Sequence, residues 1–336
     1  MIRRVLTAML LAGVATAAIA GCGGSSSDDG EGITLYSGRV APLIGPLIDK
    51  IEARTGKDIK TRFGETPQLA AQVIEEGEAS PADVFLAQDA GALGALDRAG
   101  LLMKLPDDIL EKVPPRFRAP DGDWVGTSAR ARVIAYGRDV KPEELPKSVL
   151  DLTDPKWKGR VGWAPTNGSF EAFVTAMRKE LGEDVTRKWL EGMVANDTQV
   201  YENNIAIRDA IANGEIDIGL INHYYVAEAI AKEGEDYPVK IHFPPGDLGS
   251  MINVAGVGIL KSTDDKEEAL AFVRELLDRK SQIFFAESSK EYPVIAGVPI
   301  DPLLVPLARI PAPDVPLGEL DDLQGTVKLL RETGAL

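Results

Sequence analysis

The sequence contains almost none of the soft side chains that proteins use for thiolate metal sites and redox chemistry. Cys22 is its one cysteine, and His223 and His242 are its two histidines. A single cysteine cannot form an intramolecular disulfide, so the hydrophobic core must hold the fold together. The sequence also lacks the zinc-protease, Ser-His-Asp and P-loop motifs. We therefore expect a protein that is not an enzyme.

Positive charge and aromatic side chains are also scarce. Lys and Arg number 37 against 52 Asp and Glu, giving a formal net charge of -15, and no basic block occurs. Nucleic-acid binding requires clustered Lys and Arg to neutralise phosphates, so we expect no nucleic-acid partner. Aromatic residues make up 6% of the chain, which disfavours an aromatic cage for an organic cation.

Long apolar runs are absent except at the N-terminus. Two arginines precede an apolar stretch from Val5 to Ala20, which is short for a membrane span. Ile19-Ala20-Gly21-Cys22 then looks like a bacterial lipobox. We predict a signal peptide over 1–21, lipidation of Cys22, and a flexible Gly/Ser/Asp-rich tether over 22–32. This places the protein in the cell envelope, lipid-anchored to the extracytoplasmic face of the membrane.

The rest of the 336-residue chain alternates between strand and helix patterns. Strands at 33–36, 58–63 and 82–86 are separated by amphipathic helices, which predicts a parallel sheet with helical crossovers. The long extended run 124–136 and the apolar run 253–260 are expected to cross between two α/β lobes. The predicted boundaries are lobe 1 over 33–130 plus 256–303 and lobe 2 over 131–255 plus 304–336.

Two adjacent tyrosines lie where a buried strand meets a helix. Leu220-Ile221-Asn222-His223-Tyr224-Tyr225 follows the turn Gly214-Glu215 and precedes a run of helix-forming residues. Asn222 is expected to be the helix N-cap. Ligands of α/β proteins bind beyond the carboxyl ends of strands, where a helix N-terminus also favours an anion. Two phenolates with an anion suit a small, hard, highly charged cation. For an isolated Tyr-Tyr pair, ordinary packing would be the more common explanation.

Several short stretches, in their order along the chain, resemble one family. They are Ile33-Thr34-Leu35-Tyr36-Ser37-Gly38, Ser80-Pro81-Ala82-Asp83-Val84-Phe85, Ser128-Ala129-Arg130-Ala131-Arg132-Val133, Ser148-Val149-Leu150-Asp151-Leu152, Pro155-Lys156-Trp157-Lys158, Pro165-Thr166-Asn167-Gly168, Asn213-Gly214-Glu215-Ile216-Asp217, the tyrosine stretch, and Glu291-Tyr292-Pro293. The chain resembles the periplasmic ferric-ion-binding proteins of ABC transporters, a two-lobed type II solute-binding class, here in a lipoprotein form.

The resemblance implies both a ligand and a site. Tyr224 and Tyr225 would bind Fe³⁺ as the transported ligand, together with a small anion such as phosphate or carbonate. Asn167, Gly168, Ser169, Asn204 and Asn222 would bind that anion. The implied protein is a monomeric, hinged α/β binding protein that delivers iron to a membrane permease.

Two positions depart from the family pattern. Val40 and Gln88 stand where the well-known proteobacterial type has its metal-binding His and Glu. Anion and water could fill the open positions, or the ligand could be an Fe³⁺ chelate. A type II protein for an organic cation or small metabolite, such as a polyamine or thiamine, is the alternative. Candidate cleft contacts are Arg39, Gln88, Asp89 and Arg130, whereas Arg132 and His223 are expected to be structural.

Overall fold

The computed structural model describes residues 32–336, so the predicted signal peptide, Cys22 and tether residues 22–31 lie outside the described residues. Gly32, the last residue of the predicted tether, already belongs to the first strand, which therefore begins one residue earlier than predicted. Within the described range, no helix has the length and apolar content needed to cross a bilayer.

The first part of the chain is a parallel β-α-β-α-β unit, as the sequence predicted. Strand β1 pairs in parallel with both β2 and β3. Helix α1 buries Ile44, Leu47, Ile48 and Ile51, the spacing that places apolar residues on one face. The elements of this part are β1 (Gly32–Ser37), α1 (Ala41–Thr55), β2 (Asp58–Phe63), α2 (Thr66–Glu76), β3 (Val84–Ala87), α3 (Ala90–Arg98) and α4 (Asp107–Leu110).

The second part adds a second sheet segment, more helices and the return to the first segment. Its elements are β4 (Trp124–Gly137), β5 (Val161–Trp163), α5 (Gly168–Glu180), α6 (Glu183–Ala195), β6 (Gln199–Val200), α7 (Asn204–Ala212), β7 (Ile218–Asn222), α8 (Tyr224–Glu233), β8 (Val239–His242), β9 (Ile252–Ile259), α9 (Lys266–Leu276), α10 (Arg279–Ser288), β10 (Tyr292–Pro293) and α11 (Leu323–Glu332).

Strand β4 connects the two segments of the sheet. The strand order is β2-β1-β3-β9-β4-β7-β5-β6, with β8 and β10 also paired to β4. From Trp124 to Ala131, β4 pairs antiparallel with β9, and from Arg132 onward it pairs with β7 and then also β8. The partner of β4 thus changes between Ala131 and Arg132. The carboxyl ends of β3 and β7 lie near these two residues.

The sequence interpretation was right for most elements and missed a few. The long extended run is β4, and the apolar run 253–260 is the antiparallel partner β9. Helix α10 and the short strands β6, β8 and β10 were not predicted. The α/β class with a two-part sheet flanked by helices is confirmed.

Candidate functional site

The two tyrosines begin helix α8, directly beyond the carboxyl end of β7. Asn222 is the last residue of β7, and the N-cap of α8 is His223. The prediction that Asn222 caps this helix is therefore wrong, because Asn222 still pairs with Arg132 in the sheet. His223 is buried and accepts a hydrogen bond from the Ala131 backbone N–H at Nδ1, 3.2 Å away. Burial lowers the pKa of His223 to about 3, so its imidazole is neutral.

The phenol rings of Tyr224 and Tyr225 lie side by side in a closed site. Their centroids are 4.3 Å apart, and the residues are 1% and 8% exposed. Burial raises the pKa of both phenols, that of Tyr224 well above its ordinary value of 10.0. Arg39 and Arg130 act in the opposite direction on Tyr224. Without a bound cation, both phenols are protonated at neutral pH.

A chain of hydrogen bonds joins the residues assigned to anion binding. Asn167 Oδ1 accepts hydrogen bonds from Ser169 Oγ at 2.6 Å and from Asn204 Nδ2 at 3.3 Å. Asn222 Nδ2 donates to Ser169 Oγ at 3.2 Å and to the Tyr224 hydroxyl at 3.5 Å. The structure thus brings Asn167, Ser169, Asn204 and Asn222 together, and Asn222 connects them to Tyr224.

These polar side chains surround the start of α5. Asn167 is the N-cap of this helix, since its Oδ1 also accepts from the Ser169 N–H at 3.2 Å. Gly168 is the first helical residue, and a methyl group placed on it would lie 2.7 Å from Asp89 Oδ2. The turn therefore combines a helix N-terminus with hydroxyl and amide groups, a combination suited to an anion.

Gln88 reaches the tyrosines from the other segment of the sheet. It follows β3, and its Nε2 donates to the Tyr224 hydroxyl at 3.5 Å. Val40 lies at the N-terminus of α1 and is 48% exposed. An amide and an isopropyl group are not ligands for Fe³⁺, so neither position replaces a histidine or carboxylate ligand.

Three buried arginines surround the same region. Arg39 makes a two-pronged ion pair with Glu291, with Nη1–Oε1 at 2.9 Å and Nη2–Oε2 at 2.6 Å. Burial alone would lower the pKa of Arg39, but the Glu291 carboxylate raises it above its ordinary value. Arg130 donates to the Gln88 carbonyl, and Arg132 donates to the Leu220 carbonyl at 3.3 Å.

Asp89 is the last of the predicted cleft contacts. It caps α3, accepting from the Ala92 N–H at 3.2 Å, and its other carboxylate oxygen has no hydrogen-bond partner. Burial raises the pKa of Asp89 to about 6, against the influence of Arg130. Gln88, Arg39 and Arg130 thus lie close to Tyr224, and Asp89 lies close to Arg130.

Glu291 is the participant that the sequence interpretation did not assign to the site. It lies in the Glu291-Tyr292-Pro293 stretch, and Tyr292 stacks on the His223 ring at a centroid distance of 4.7 Å. The presence of an acidic residue in a stretch that matches the family was the only sequence signal that could have assigned Glu291 to the site.

Among the described residues, no cluster of three or more His, Cys, Asp or Glu side chains is arranged to hold a metal.

Comparison with known proteins places the chain in a family. The model of the bacterial extracellular solute-binding proteins matches residues 79–314. The Fe(3+)-binding periplasmic protein of Serratia marcescens is 34% identical over 318 residues, covering 94% of each chain. Iron-bound HitA from Pseudomonas aeruginosa has a TM-score of 0.85 at 36% identity, covering 90% of this chain and 99% of HitA. A Trichodesmium protein (IdiA, FutA) solved with iron and citrate gives 0.75 at 31% identity, covering 90% and 99%. The chain therefore belongs to the bacterial extracellular solute-binding proteins, with the two-lobed fold of that class.

Proposed function

We propose that this protein captures Fe³⁺ between its lobes and delivers it to the membrane permease of an ABC transporter. The observation that carries the proposal is the buried Tyr224–Tyr225 pair at the start of α8, in a chain whose relatives include ferric-iron-binding proteins. Tyr224 and Tyr225 are the proposed metal ligands.

The chemistry of the pair fits a ferric ion. Fe³⁺ is a hard cation that prefers anionic oxygen ligands. Burial keeps both phenols protonated in the absence of metal, so a bound trication must displace their protons. Arg39 and Arg130 favour the ionised form of Tyr224, which reduces the cost of that step.

A small anion such as phosphate or carbonate is proposed to complete the coordination of iron. Asn167, Gly168, Ser169, Asn204 and Asn222 would hold it, because they combine a helix N-terminus with hydrogen-bonding side chains beside Tyr224. Val40 and Gln88 contribute no ligand, so the anion would fill a larger share of the coordination sphere here. An Fe³⁺ chelate whose own oxygens occupy those positions is the second form of ligand that this donor set accommodates.

The lobe boundaries and the attachment to the membrane are also proposals. The proposed lobes are 33–130 plus 256–303 and 131–255 plus 304–336. The change in β4 partners at Arg132 supports the boundary after residue 130. Lipidation of Cys22 would hold the monomeric protein on the extracytoplasmic face of the membrane, close to its permease. The matching family is described as extracellular solute-binding proteins, and the Serratia marcescens relative is named an Fe(3+)-binding periplasmic protein. Neither description names a catalytic activity, and we propose that this chain is not an enzyme.

Adding Fe³⁺ to the purified protein tests the proposal. Phenolate bound to Fe³⁺ gives a visible charge-transfer band, so we expect a red to orange protein. Tyr224→Phe and Tyr225→Phe each remove one oxygen and keep the ring, and each should abolish or strongly weaken the band. Tyr136→Phe is the matched control, because Tyr136 pairs with the opposite end of β7 at Ile218. It should leave the colour unchanged.

Two outcomes would contradict the proposal. A colourless protein that ignores Fe³⁺ but binds thiamine or a polyamine in calorimetry would overturn the iron proposal. Iron binding that survives both phenylalanine variants would keep the ligand and reject the assigned tyrosines.

A further inference from the structure

A cavity separate from the tyrosine site lies between helices α2, α5 and α11. Its volume is about 730 Å³, which is within the range of small-molecule sites in proteins. Among the described residues, none of those proposed to bind iron or its anion lines this α2–α11 cavity. Pro67, Ala71 and Ile74 on one face of α2 and Leu323 and Val327 of α11 line it. Its walls therefore suit a hydrocarbon body better than a hydrated ion.

A buried carboxyl group also lines the α2–α11 cavity. Glu171 lies in the first turn of α5 and is 3% exposed. Its Oε2 has no hydrogen-bond partner in the described part of the chain. An ionised carboxylate only accepts hydrogen bonds, and its burial without a partner is costly. A ligand that brings a positively charged donor into the cavity would remove that cost.

The other charged groups of the lining also favour a cation. Lys328 Nζ lies 3.7 Å from Glu332 Oε1, so these two charges offset each other. Glu65, Glu171 and Arg331 are the remaining charged residues of the lining. Two carboxyl groups thus share the cavity with one guanidinium group, and this balance attracts positive charge more than negative charge.

We propose that the α2–α11 cavity binds a small organic ammonium ion that has an apolar body. The ammonium group would donate hydrogen bonds to the Glu171 carboxylate. The apolar body would pack on the side chains of α2 and α11 and would remove their apolar surface from water.

Such a ligand would also connect the two proposed lobes. Helix α2 belongs to the proposed lobe 1, whereas α5 and α11 belong to the proposed lobe 2. A ligand in contact with all three helices favours the arrangement in which they lie close together. It would then strengthen iron binding, and iron would strengthen binding of the ammonium ion by the same factor. This coupling rests on the proposed function, whereas binding of the ammonium ion does not.

Calorimetric titration of the iron-free protein tests the proposal. The probe is 2-phenylethylammonium, and 2-phenylethanol is its neutral analogue of similar size. We expect one saturable site for the amine, with a Kd of about 10 mM or lower, and about tenfold weaker binding of the alcohol.

Three variants assign that binding to the cavity. Glu171→Gln should reduce the affinity for the amine to that for the alcohol. Ala71→Phe places a ring in the cavity and should abolish binding of both compounds. Glu180→Gln changes an exposed residue of the same helix as Glu171, and it should bind the amine as the wild type does.

The protonation of Glu171 provides a second measurement. Burial, and then Asp89 of α3 and Glu65 at the start of α2, raise the pKa of Glu171 to about 8, whereas Arg331 of α11 acts against them. The carboxyl group is therefore mostly protonated at pH 7, and a bound ammonium ion would ionise it. Titrations in two buffers of different ionisation enthalpy should show release of up to about one proton per amine. Glu171→Gln should remove this release.

Crystals of the wild-type protein soaked in the 4-bromo derivative of the amine locate the ligand without a variant. An anomalous peak between α2 and α11 is expected. A peak beside Tyr224, the absence of a peak, or equal affinities for the amine and the alcohol would overturn the proposal.

The double variant Tyr224→Phe, Tyr225→Phe separates this site from the tyrosine site. Without iron it should bind the amine as the wild type does, and a loss of binding would assign the amine to the tyrosines and overturn the proposal. These measurements contain no iron. A failure of amine binding therefore leaves the iron proposal intact, and a failure of iron binding leaves the ammonium site intact.

Discussion

Burial determines the charge of several single residues around the tyrosine pair. Tyr224 and Tyr225 are held neutral by desolvation, and Asp89 titrates near 6 for the same reason. Glu171, in the first turn of α5, has a carboxylate oxygen without a partner. Burial, and then the neighbouring Asp89 and Glu65, raise the pKa of Glu171 to about 8. At neutral pH Glu171 is therefore mostly protonated, whereas Asp89 is mostly ionised.

Glu171 should make the protein less stable as the pH rises. Its pKa is raised on folding, so the unfolded chain releases the proton first. The unfolding free energy should then fall from about pH 4.5 to about pH 8, by about 2 to 4 kcal/mol. Glu171→Gln keeps the shape without the proton equilibrium, so urea unfolding of this variant should depend less on pH over that window.

Glu180→Gln is the control for that experiment, because Glu180 is an exposed residue of the same helix. It should show the pH dependence of the wild type. If Glu171→Gln and wild type lost the same unfolding free energy between pH 5 and pH 9, the buried carboxyl group would not be the cause.

At the scale of the elements, the first turn of α5 makes a close contact with residues that follow the other segment of the sheet. A methyl group on Gly168 would lie 2.7 Å from Asp89 Oδ2 and 3.4 Å from atoms of Thr66 and Pro67. Those three residues lie at the starts of α3 and α2, whereas α5 follows β5 of the other segment. The absence of a side chain at Gly168 permits this close approach.

Gly168→Ala should therefore weaken iron binding without unfolding the protein. Asp89 must move, or the segments must separate, and a cost of about 1.4 kcal/mol corresponds to a tenfold weaker Kd. Calorimetric titration with Fe³⁺ measures the change. Gly45→Ala in α1 is the control, since a methyl group there meets nothing within 4 Å. Equal affinities of both variants would show that the close approach at Gly168 is not needed for binding.

Elements with a regular apolar period were predictable from sequence, and elements without one were not. Helix α1 buries residues spaced three and four apart, and β3 is a continuous buried run. Helix α10 buries Ser281 and Gln282 along with Phe285 and Ala286, so its buried face contains polar residues. Gln282 is held there by hydrogen bonds to the Thr127 and Leu276 carbonyls, which only the folded chain brings together.

The site shows the same division. The tyrosine pair and the turn at Asn167 could be placed at strand-helix junctions from the local sequence, but their roles in metal and anion binding were predicted from the family resemblance. The Arg39–Glu291 ion pair joins residues that are 252 positions apart, so no local pattern reveals it. The N-cap of α8 was misassigned for a related reason: Asn222 favours caps in general, but its pairing with Arg132 keeps it in the sheet.

At the scale of the whole molecule, the proposed anchor determines where the protein acts. Cys22→Ala should release the protein from the membrane fraction or leave it unprocessed, because the thiol that would be lipidated is gone. Fractionation of cells with immunoblotting measures this, with Cys22→Ser as a second variant. A Cys22→Ala protein that is processed and remains in the membrane fraction as the wild type does would contradict the lipoprotein prediction.

The burial of the tyrosines implies that the molecule must open to load iron. With Tyr224 and Tyr225 1% and 8% exposed, a hydrated ion cannot reach the phenols in this conformation. Strand β4 passes from one segment of the sheet to the other, and the chain returns to the first segment at β9, so we expect the hinge at these two strands. A ligand that contacts Tyr224 from one segment and the neighbourhood of Gln88 from the other favours the closed form through its differential affinity.

Small-angle scattering should therefore give a smaller radius of gyration with Fe³⁺ and phosphate or carbonate than without them. A compact globule of this size has a radius of about 19 to 20 Å, and the loaded protein should approach it from above. The double variant Tyr224→Phe, Tyr225→Phe should keep the larger radius under the same conditions, since it lacks the ligands that stabilise closure. If the wild-type radius stayed constant while the colour developed, iron would bind without hinge closure, and access to the tyrosines would have to come from local motion near α8 instead.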